Sequence, residues 1–415
     1  MRHLRRADPG TVPIVRRPVE LATIGEAAAI VEEVRIGGER ALRRHAERLG
    51  DLEPGDEIVL DRSRIEQTLD SLPGEARGVL ERVAGRIRSF AQAQRQSLKD
   101  VDIEVSGGRA GHRWIPVSSA GAYAPGGRYP LPSSVLMTAI PARVAGVESV
   151  WVASPRPTPV TVAAAAIAGA DGLLAVGGAQ AIAALAFGTL TPACDLVVGP
   201  GNRWVTAAKK YLYGEIGIDG LAGPSEILLI ADESADPELV SADLLAQAEH
   251  DDDAVPMLIT TSQTLADEVE GIIERQLSDL PTSETASRAL ENGFCLVVAS
   301  RQEAASISNR IAPEHLALHV DDPSQLVEEL RSYGSLFVGS GTAEAFADYG
   351  VGPNHVLPTG GGARYQSGLS VFTFLRSPTW MALDDAGPLV DDTMLLARLE
   401  GLEAHARAAQ IRRPT

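Results

Sequence analysis

The chain is poor in cysteine, in aromatic side chains and in cations. Among 415 residues it has 2 cysteines, 4% aromatics, and 37 Lys and Arg against 55 Asp and Glu. Cys194 and Cys295 lie in separate apolar runs, CDLVVGP and FCLVVAS, with no CxxC neighbour. They read as buried strand cysteines in a reducing compartment, not as catalytic thiols. A net charge of −18 argues against nucleic acid as a partner, because phosphate backbones need clustered Lys and Arg. Long apolar runs are also missing. None reaches the ~20 residues that span a bilayer, and the most apolar segment, Val160–Ala170, is short and bounded by Pro159 and Gly172. No apolar stretch follows the basic start MRHLRRADPG, so no secretory signal is expected. These absences predict a cytoplasmic protein with no membrane partner.

What is present falls into regions of different period. The first hundred residues carry apolar positions near the 3.6 repeat, as in IGEAAAIVEEVRIGGERALRRHAERLG, and predict helices. The stretch VSGGRAGHRWIPVSSAGAYAPGGRYPLPSS, rich in Gly, Pro and Ser, predicts a loop or a crossing between domains. Beyond Ala139, short apolar runs (ESVWVASP, GLLAVGG, CDLVVGP) alternate with helical segments. A second series begins at SEILLIAD and continues with VPMLITTS, GFCLVVAS, LALHVDD and GSLFVGS. Continuous apolar strands separated by helices predict parallel sheets covered on both faces. The expected fold is therefore α/β, with two Rossmann-like doubly wound units, a helical N-terminal part and a small C-terminal extension. No internal repeat is visible in the sequence. A Gly-rich loop, LPTGGGARYQSGLS, leads to a terminal helix, MLLARLEGLEAHARAAQ.

Open parallel sheets bind ligands at the carboxyl ends of their strands. Gly177-Gly178-Ala179-Gln180 follows the strand GLLAV and opens a helix, so its N–H groups are placed to meet a phosphate. Gly199-Pro200-Gly201-Asn202 follows CDLVV in the same way. Neither is a G-x-G-x-x-G fingerprint, no Walker A motif occurs, and each turn alone is also compatible with a plain turn glycine. The dinucleotide motif is incomplete.

With 8 histidines, each neighbourhood can be weighed. His3, His45, His112 and His319 read as structural or solvent-facing. His250 comes three residues after Gln247, which puts both on one helix face. His405 lies five after Glu400, Asp348 precedes Tyr349 at a helix end, and His355 follows Gly-Pro-Asn in a loop. Imidazole, carboxylate and amide oxygen suit Zn²⁺, though no compact motif such as HExxH is formed. The alternative is a set of helix-terminal histidines complementing the macrodipole. In NRIAPEHL, Glu314 and His315 place a carboxylate beside an imidazole directly after a proline. On a helix such neighbours would point about 100° apart.

The segments GAYAPGGRYPLPSSVLM, PARVAGV, GGAQAIAALAFGT, VVGPGN, AGPSEILLIAD, DLLAQAEH, NRIAPEHL, DYGVGPNHVLPTGG, SGLSV and EGLEAHA run in order from about Gly121 to the C-terminus. Together they resemble the histidinol dehydrogenase family. The resemblance implies oxidation of L-histidinol to L-histidine through the aldehyde, using two NAD⁺ and one Zn²⁺ per site. It matches Gln247, His250, Asp348 and His405 to the zinc ligands, which also touch substrate, and Glu314 and His315 to the acid/base pair. Tyr123, Gln180 and Asn202 match NAD contacts. Ser225, His315, His355 and Glu400 match substrate contacts. It also implies a homodimer whose C-terminal segment, with Glu400 and His405, reaches the partner's site. The implied division is an arm over 1–20 and a first, NAD-binding unit over 122–224. A larger α/β domain would combine 21–121 with 225–368, and a dimer-swapped extension would cover 369–415.

Three stretches depart from the commonest family pattern: Arg128-Tyr129-Pro130, Asp251-Asp252-Asp253 after His250, and GGGARYQSGLSVFTFLRSPTW. They leave open a paralogue acting on another polar alcohol, such as a sulfonated propanediol, and also a non-catalytic metal-binding relative. Glu400 favours histidinol, since a carboxylate suits an amino end.

Overall fold

The computed structural model describes residues 3–8, 19–126 and 130–414. Two parallel sheets with one winding scheme form its centre. In the first, the chain starts at Ser119–Tyr123, steps to Ser149–Ala153 and Gly172–Leu174 on one side, then to Leu196–Val198 and Gly217–Ile218 on the other. In the second it starts at Glu226–Ala231, steps to Val255–Thr260 and Phe294–Val297, then to His315–His319 and Ser335–Val338. The repeat invisible in sequence is thus plain in topology, because winding order depends on apolar period and not on residue identity. Each sheet gains a strand from the N-terminal region beside its third strand. Val59–Asp61 pairs antiparallel with Gly172–Leu174, and Arg5–Arg6 pairs parallel with Phe294–Cys295.

The central strands are buried along their whole length. EILLIA in the second sheet and SAGAY in the first have no exposed residue, as strands covered on both faces require. The Ala-rich helices Pro159–Ala168 and Gly178–Phe187 sit almost wholly in the core; their small side chains bring helix and sheet backbones close.

The expected grouping of 21–121 with the second unit is not what the packing gives. The helices Leu21–Arg48, Arg62–Asp70 and Gly74–Gln96 share one continuous core with the first sheet, through Val31, Leu42, Ile65 and Ile87. Their apolar faces meet the Ala-rich helices of that sheet, whose strong hydrophobicity gives them the larger surface to bury against. The second sheet has its own cores, one on each face.

Three local expectations also change. The Gly/Pro/Ser-rich stretch holds the second strand of a hairpin, Gly108–His112, paired with Val101–Val105 at its start, besides the central strand. The terminal helix is two helices, Gly387–Leu399 and Glu403–Gln410, parted at Gly401, whose φ of 78° only glycine adopts cheaply. Arg128 and Tyr129, and residues 9–18 of the predicted arm, lie outside the described residues. Among the described residues no helix is long and apolar enough to cross a membrane. Cys194 and Cys295 are buried and unpaired, and burial pushes their thiols up to about 12 and about 11, so neither is a ready nucleophile.

Candidate active site

Glu314 and His315 are not on a helix. The helix Arg301–Ile311 stops at Ala312, which takes the left-handed conformation (φ 56°), and Pro313 bars its return. His315 is the first residue of the strand His315–His319, paired with Ile227 next to Glu226. The Glu226 main chain holds both partners. Its N–H donates to Glu314 Oε2 at 2.9 Å, and its carbonyl lies 3.1 Å from His315 Nδ1. A carbonyl can only accept, so Nδ1 carries the proton and Nε2 keeps its basic lone pair. Burial holds the imidazole down at about 4, so His315 is neutral near pH 7.

Carboxylates crowd this imidazole. Glu344 Oε1 is 3.5 Å and Glu314 Oε2 is 3.6 Å from Nδ1. Burial, then the repulsion of Glu226, Glu344 and Asp348, raises the Glu314 carboxyl well above its ordinary range. Glu344 rises for the same reasons, by burial first and then by Asp348 and Asp243. Burial pushes Glu226 up to about 7, against the pull of the Gly360 N–H that its Oε1 accepts at 3.0 Å. Such a group cannot ionise fully at once. A raised carboxyl is, once ionised, a stronger base than an ordinary one, which suits Glu314 for general-base work.

His250 and Asp348 come together beside this cluster, and Gln247 stands in the last helix turn before His250. His250 Nε2 is 3.9 Å from Asp348 Oδ2, and His250, Glu344 and Asp348 offer ligand atoms within 4.8 Å of one another. Gln247 is 1% exposed, yet neither its Oε1 nor its Nε2 has a partner. A buried amide left unsatisfied costs about 1–3 kcal/mol, a cost that a cation accepted by Oε1 removes. The donor set thus fits a divalent ion such as Zn²⁺. Burial works against Asp348 ionising, but the hydrogen bond from His355 and the nearby imidazoles outweigh it and hold the carboxyl below its usual value. His355 bridges Asp348 Oδ1, 3.4 Å from Nδ1, to Ser134 Oγ of the first unit, 3.5 Å from Nε2. Ser225 directly precedes Glu226, so it lies at the same strand entrance.

His405 and Glu400 are not part of this group within one chain. Both are exposed, on the C-terminal helices. Those helices follow Thr379–Leu383, which pairs with the hairpin strand Gly108–His112 and not with either large sheet. In their place the chain's own Glu344 completes the cluster.

The predicted cofactor residues gather at the carboxyl ends of the first sheet. Tyr123 is the last residue of the central strand, and its hydroxyl accepts the Gly178 N–H at 3.2 Å; burial lifts its phenol to about 12, so it stays neutral. Asn202 caps the helix Arg203–Leu212, its Oδ1 accepting from Trp204 and Val205, which leaves the Nδ2 donors for a ligand. Behind it, Gly199 passes so close to Tyr123 that a Cβ there would collide with the Tyr123 carbonyl. The buried Lys209–Asp219 pair fixes this turn. Lys209 Nζ donates to the Gly199 carbonyl at 3.1 Å, and Asp219 Oδ2 accepts the Gly199 N–H at 2.7 Å. Removing one member would leave a buried charge unmatched, at a cost of about 3–5 kcal/mol. Gln180 is 1% exposed with its Oε1 unpartnered, an acceptor that the hydroxyls or carboxamide of a dinucleotide would satisfy.

The phosphate reading of the Gly177 turn does not hold. The Gly177 N–H donates to Asp51 Oδ2 at 2.9 Å, so a protein carboxylate already complements this helix terminus.

Sequence reasoning missed Glu226, Glu344, Ser134 and Asp51. Glu344 stands four residues before Asp348, one helix turn away, and that spacing was a usable signal. Glu226 follows the matched Ser225 but looked like the start of an ordinary strand. Nothing local marks Asp51, which arrives by tertiary packing.

The sequence model of the histidinol dehydrogenase family matches residues 18–413. The histidinol dehydrogenase of Thermus thermophilus is 45% identical over 389 residues, covering 92% of this chain and 93% of the relative. That of Haloarcula marismortui is 45% identical over 391 residues, 92% of each. The crystal structure of histidinol dehydrogenase from Elizabethkingia anophelis superposes with a TM-score of 0.91 at 31% identity, over 99% of this chain and 98% of that one. A betaine aldehyde dehydrogenase from Staphylococcus aureus, at 11% identity and a TM-score of 0.52 over 87% of this chain and 83% of that one, shares the fold alone. Matched over nearly its whole length in sequence and in structure, the chain belongs to the histidinol dehydrogenase family and is an oxidoreductase.

Proposed function

We propose that this protein oxidises L-histidinol to L-histidine in two steps through bound histidinal, with NAD⁺ as oxidant and one Zn²⁺ per site. The observation that supports this most is the joint grip of Glu226 on a neutral His315 and a raised Glu314, beside an unsatisfied Gln247. Gln247, His250 and Asp348 would hold the ion, with His405 of a second copy completing the set. When bound, Zn²⁺ supplies a Lewis acid that anchors the substrate's nitrogens, and NAD⁺ accepts one hydride in each step. In the first step His315 Nε2 takes the hydroxyl proton as the carbinol C–H leaves as hydride. In the second, ionised Glu314 takes a proton from the water that adds to the aldehyde. The hydrate anion so formed loses its C–H as a second hydride, and the resulting acid gives up a proton to leave the carboxylate. The two neighbours thus serve successive half-reactions from one strand entrance. Glu344 holds the imidazole on its Nδ1 side. His355 and Ser225 line the substrate's place, and Glu400 of the second copy faces its amino end. Tyr123, Gln180 and Asn202 bind the dinucleotide.

The exposed apolar side chains Leu395, Leu396, Leu399, Leu402 and Ile411 on the C-terminal helices support a homodimer in which these helices cross to the partner. A cytoplasmic setting agrees with the two free, buried thiols. A sulfonated diol fits less well, because Glu226, Glu314, Glu344 and Asp348 crowd the site with acid groups. The test is NADH formation with L-histidinol and with a sulfonated propanediol, side by side. Turnover of L-histidinol to L-histidine, at two NADH per molecule, is expected. Turnover of the diol alone would overturn the reading.

A further inference from the structure

Asp51 follows the first long helix, and its carboxylate reaches the carboxyl end of the strand Gly172–Leu174, far off in sequence. There Oδ2 accepts the Gly177 N–H at 2.9 Å and lies 3.4 Å from Gln180 Nε2. Tied down through Nε2, the Gln180 amide presents its oxygen, and that Oε1 is buried with no partner. The Gly178 N–H is taken by the Tyr123 hydroxyl. The Gly177 and Gly178 N–H groups are therefore engaged by the protein, and the side chains at this turn add two acceptors: the Gln180 oxygen and the half-buried Asp51 carboxylate. Acceptors that include a carboxylate disfavour phosphate and suit hydroxyl groups.

Position decides which hydroxyls. The loop carrying His355 packs against the first unit at Ser134, after the central strand, and through Val356–Leu357 around Gly199–Pro200, after Leu196–Val198. From Leu196–Val198 to Gly172–Leu174 the sheet runs three strand intervals, about 14 Å at the usual spacing. A dinucleotide whose nicotinamide lies near His315 thus brings its adenosine half to the Gly177 turn.

Building on the cofactor reading above, we propose that Asp51 is the specificity-determining residue for the cofactor: with Gln180 it receives the adenosine ribose hydroxyls of NAD⁺ and turns away the 2′-phosphate of NADP⁺. The device matches the acidic residue that dinucleotide-binding folds place on the ribose, but it comes from the N-terminal helical region and not from the sheet's own second strand. Arg156, exposed and with φ 44°, is close enough for its charge to act on Asp51. Freed of that carboxylate, it would attract a 2′-phosphate.

The experiment is calorimetric binding of NAD⁺, NADP⁺ and the NAD⁺ analogue lacking the adenosine 2′-hydroxyl, to wild-type protein, D51N and D51N/R156A. Wild type should bind the analogue about tenfold more weakly than NAD⁺, and NADP⁺ more weakly still. In D51N the NAD⁺-to-NADP⁺ affinity ratio should fall by about tenfold or more, chiefly through tighter NADP⁺ binding, and R156A should cancel that gain. Equal weakening of both dinucleotides in D51N would overturn the proposal. So would wild type binding the analogue as tightly as NAD⁺, a result that stands even if the variants fail to fold. If wild type reduces NAD⁺ with L-histidinol while these ratios stay fixed, this inference falls and the proposed function survives.

Discussion

The two sheets are wound alike and used at opposite ends. In the first, Tyr123, Gly178 and Asn202 sit where strands finish and helices begin. In the second, Glu226 and His315 are the opening residues of their strands, while Gln247 and Asp348 lie in the last turns of their helices and His250 lies just beyond. Helix starts bring N–H groups and partial positive charge, and helix ends bring carbonyls and partial negative charge. On the proposed reading the dinucleotide meets the first edge through side chains, since the Gly177 and Gly178 N–H groups are already taken by Asp51 and Tyr123. A metal cation and a proton-transfer pair belong at the second. On the proposed reading, one winding scheme, turned over, supplies both halves of a dehydrogenase site.

Uncoupling the two edges tests this division. The largest effect is expected for His315→Ala, which should lower kcat with L-histidinol by about 10²–10⁴-fold while calorimetric NAD⁺ affinity and bound zinc stay near wild type. A comparable loss of NAD⁺ binding would mean that the edges are not separate. Next, Gln247→Ala should weaken zinc binding by about tenfold or more, read by elemental analysis after graded chelator treatment; unaltered zinc retention would remove Gln247 from the ligand set. The smallest effect concerns Glu226. Its carboxyl is raised to about 7 by burial, so the folded protein holds this proton to higher pH than the unfolded chain does. That stabilising contribution is complete below the ordinary carboxyl value and is lost as pH rises through about 7. Between about pH 5 and about pH 8 the melting temperature of Glu226→Gln should therefore gain steadily on wild type. A constant gap would show that Glu226 does not titrate in this window.

Much of the site was legible in the sequence because its residues sit in contiguous motifs. DLLAQAEH carries Gln247 and His250, NRIAPEHL carries Glu314 and His315, and VVGPGN carries Asn202. The edge on which they stand was not legible. Period and composition locate a strand but do not say which of its ends meets another unit, and the rule that ligands bind at strand carboxyl ends pointed away from Glu226 and His315. Asp51 joins its edge from a remote part of the chain, where only packing brings it in, whereas Glu344 is marked in sequence only by its one-turn spacing to Asp348. The N-terminal helices were assigned to the wrong sheet for a similar reason, since an amphipathic face records that something is covered but not what covers it.

The strand Val59–Asp61 along the edge of the first sheet has a practical consequence for protein engineering. Residues 119–218 look like a portable cofactor-binding module, but cutting there would strip the sheet of its border strand, of the helices sharing its core and of Asp51. The transplantable piece begins at the first long helix, near residue 19, and under the proposed role of Asp51 a graft built from it would carry its own cofactor preference.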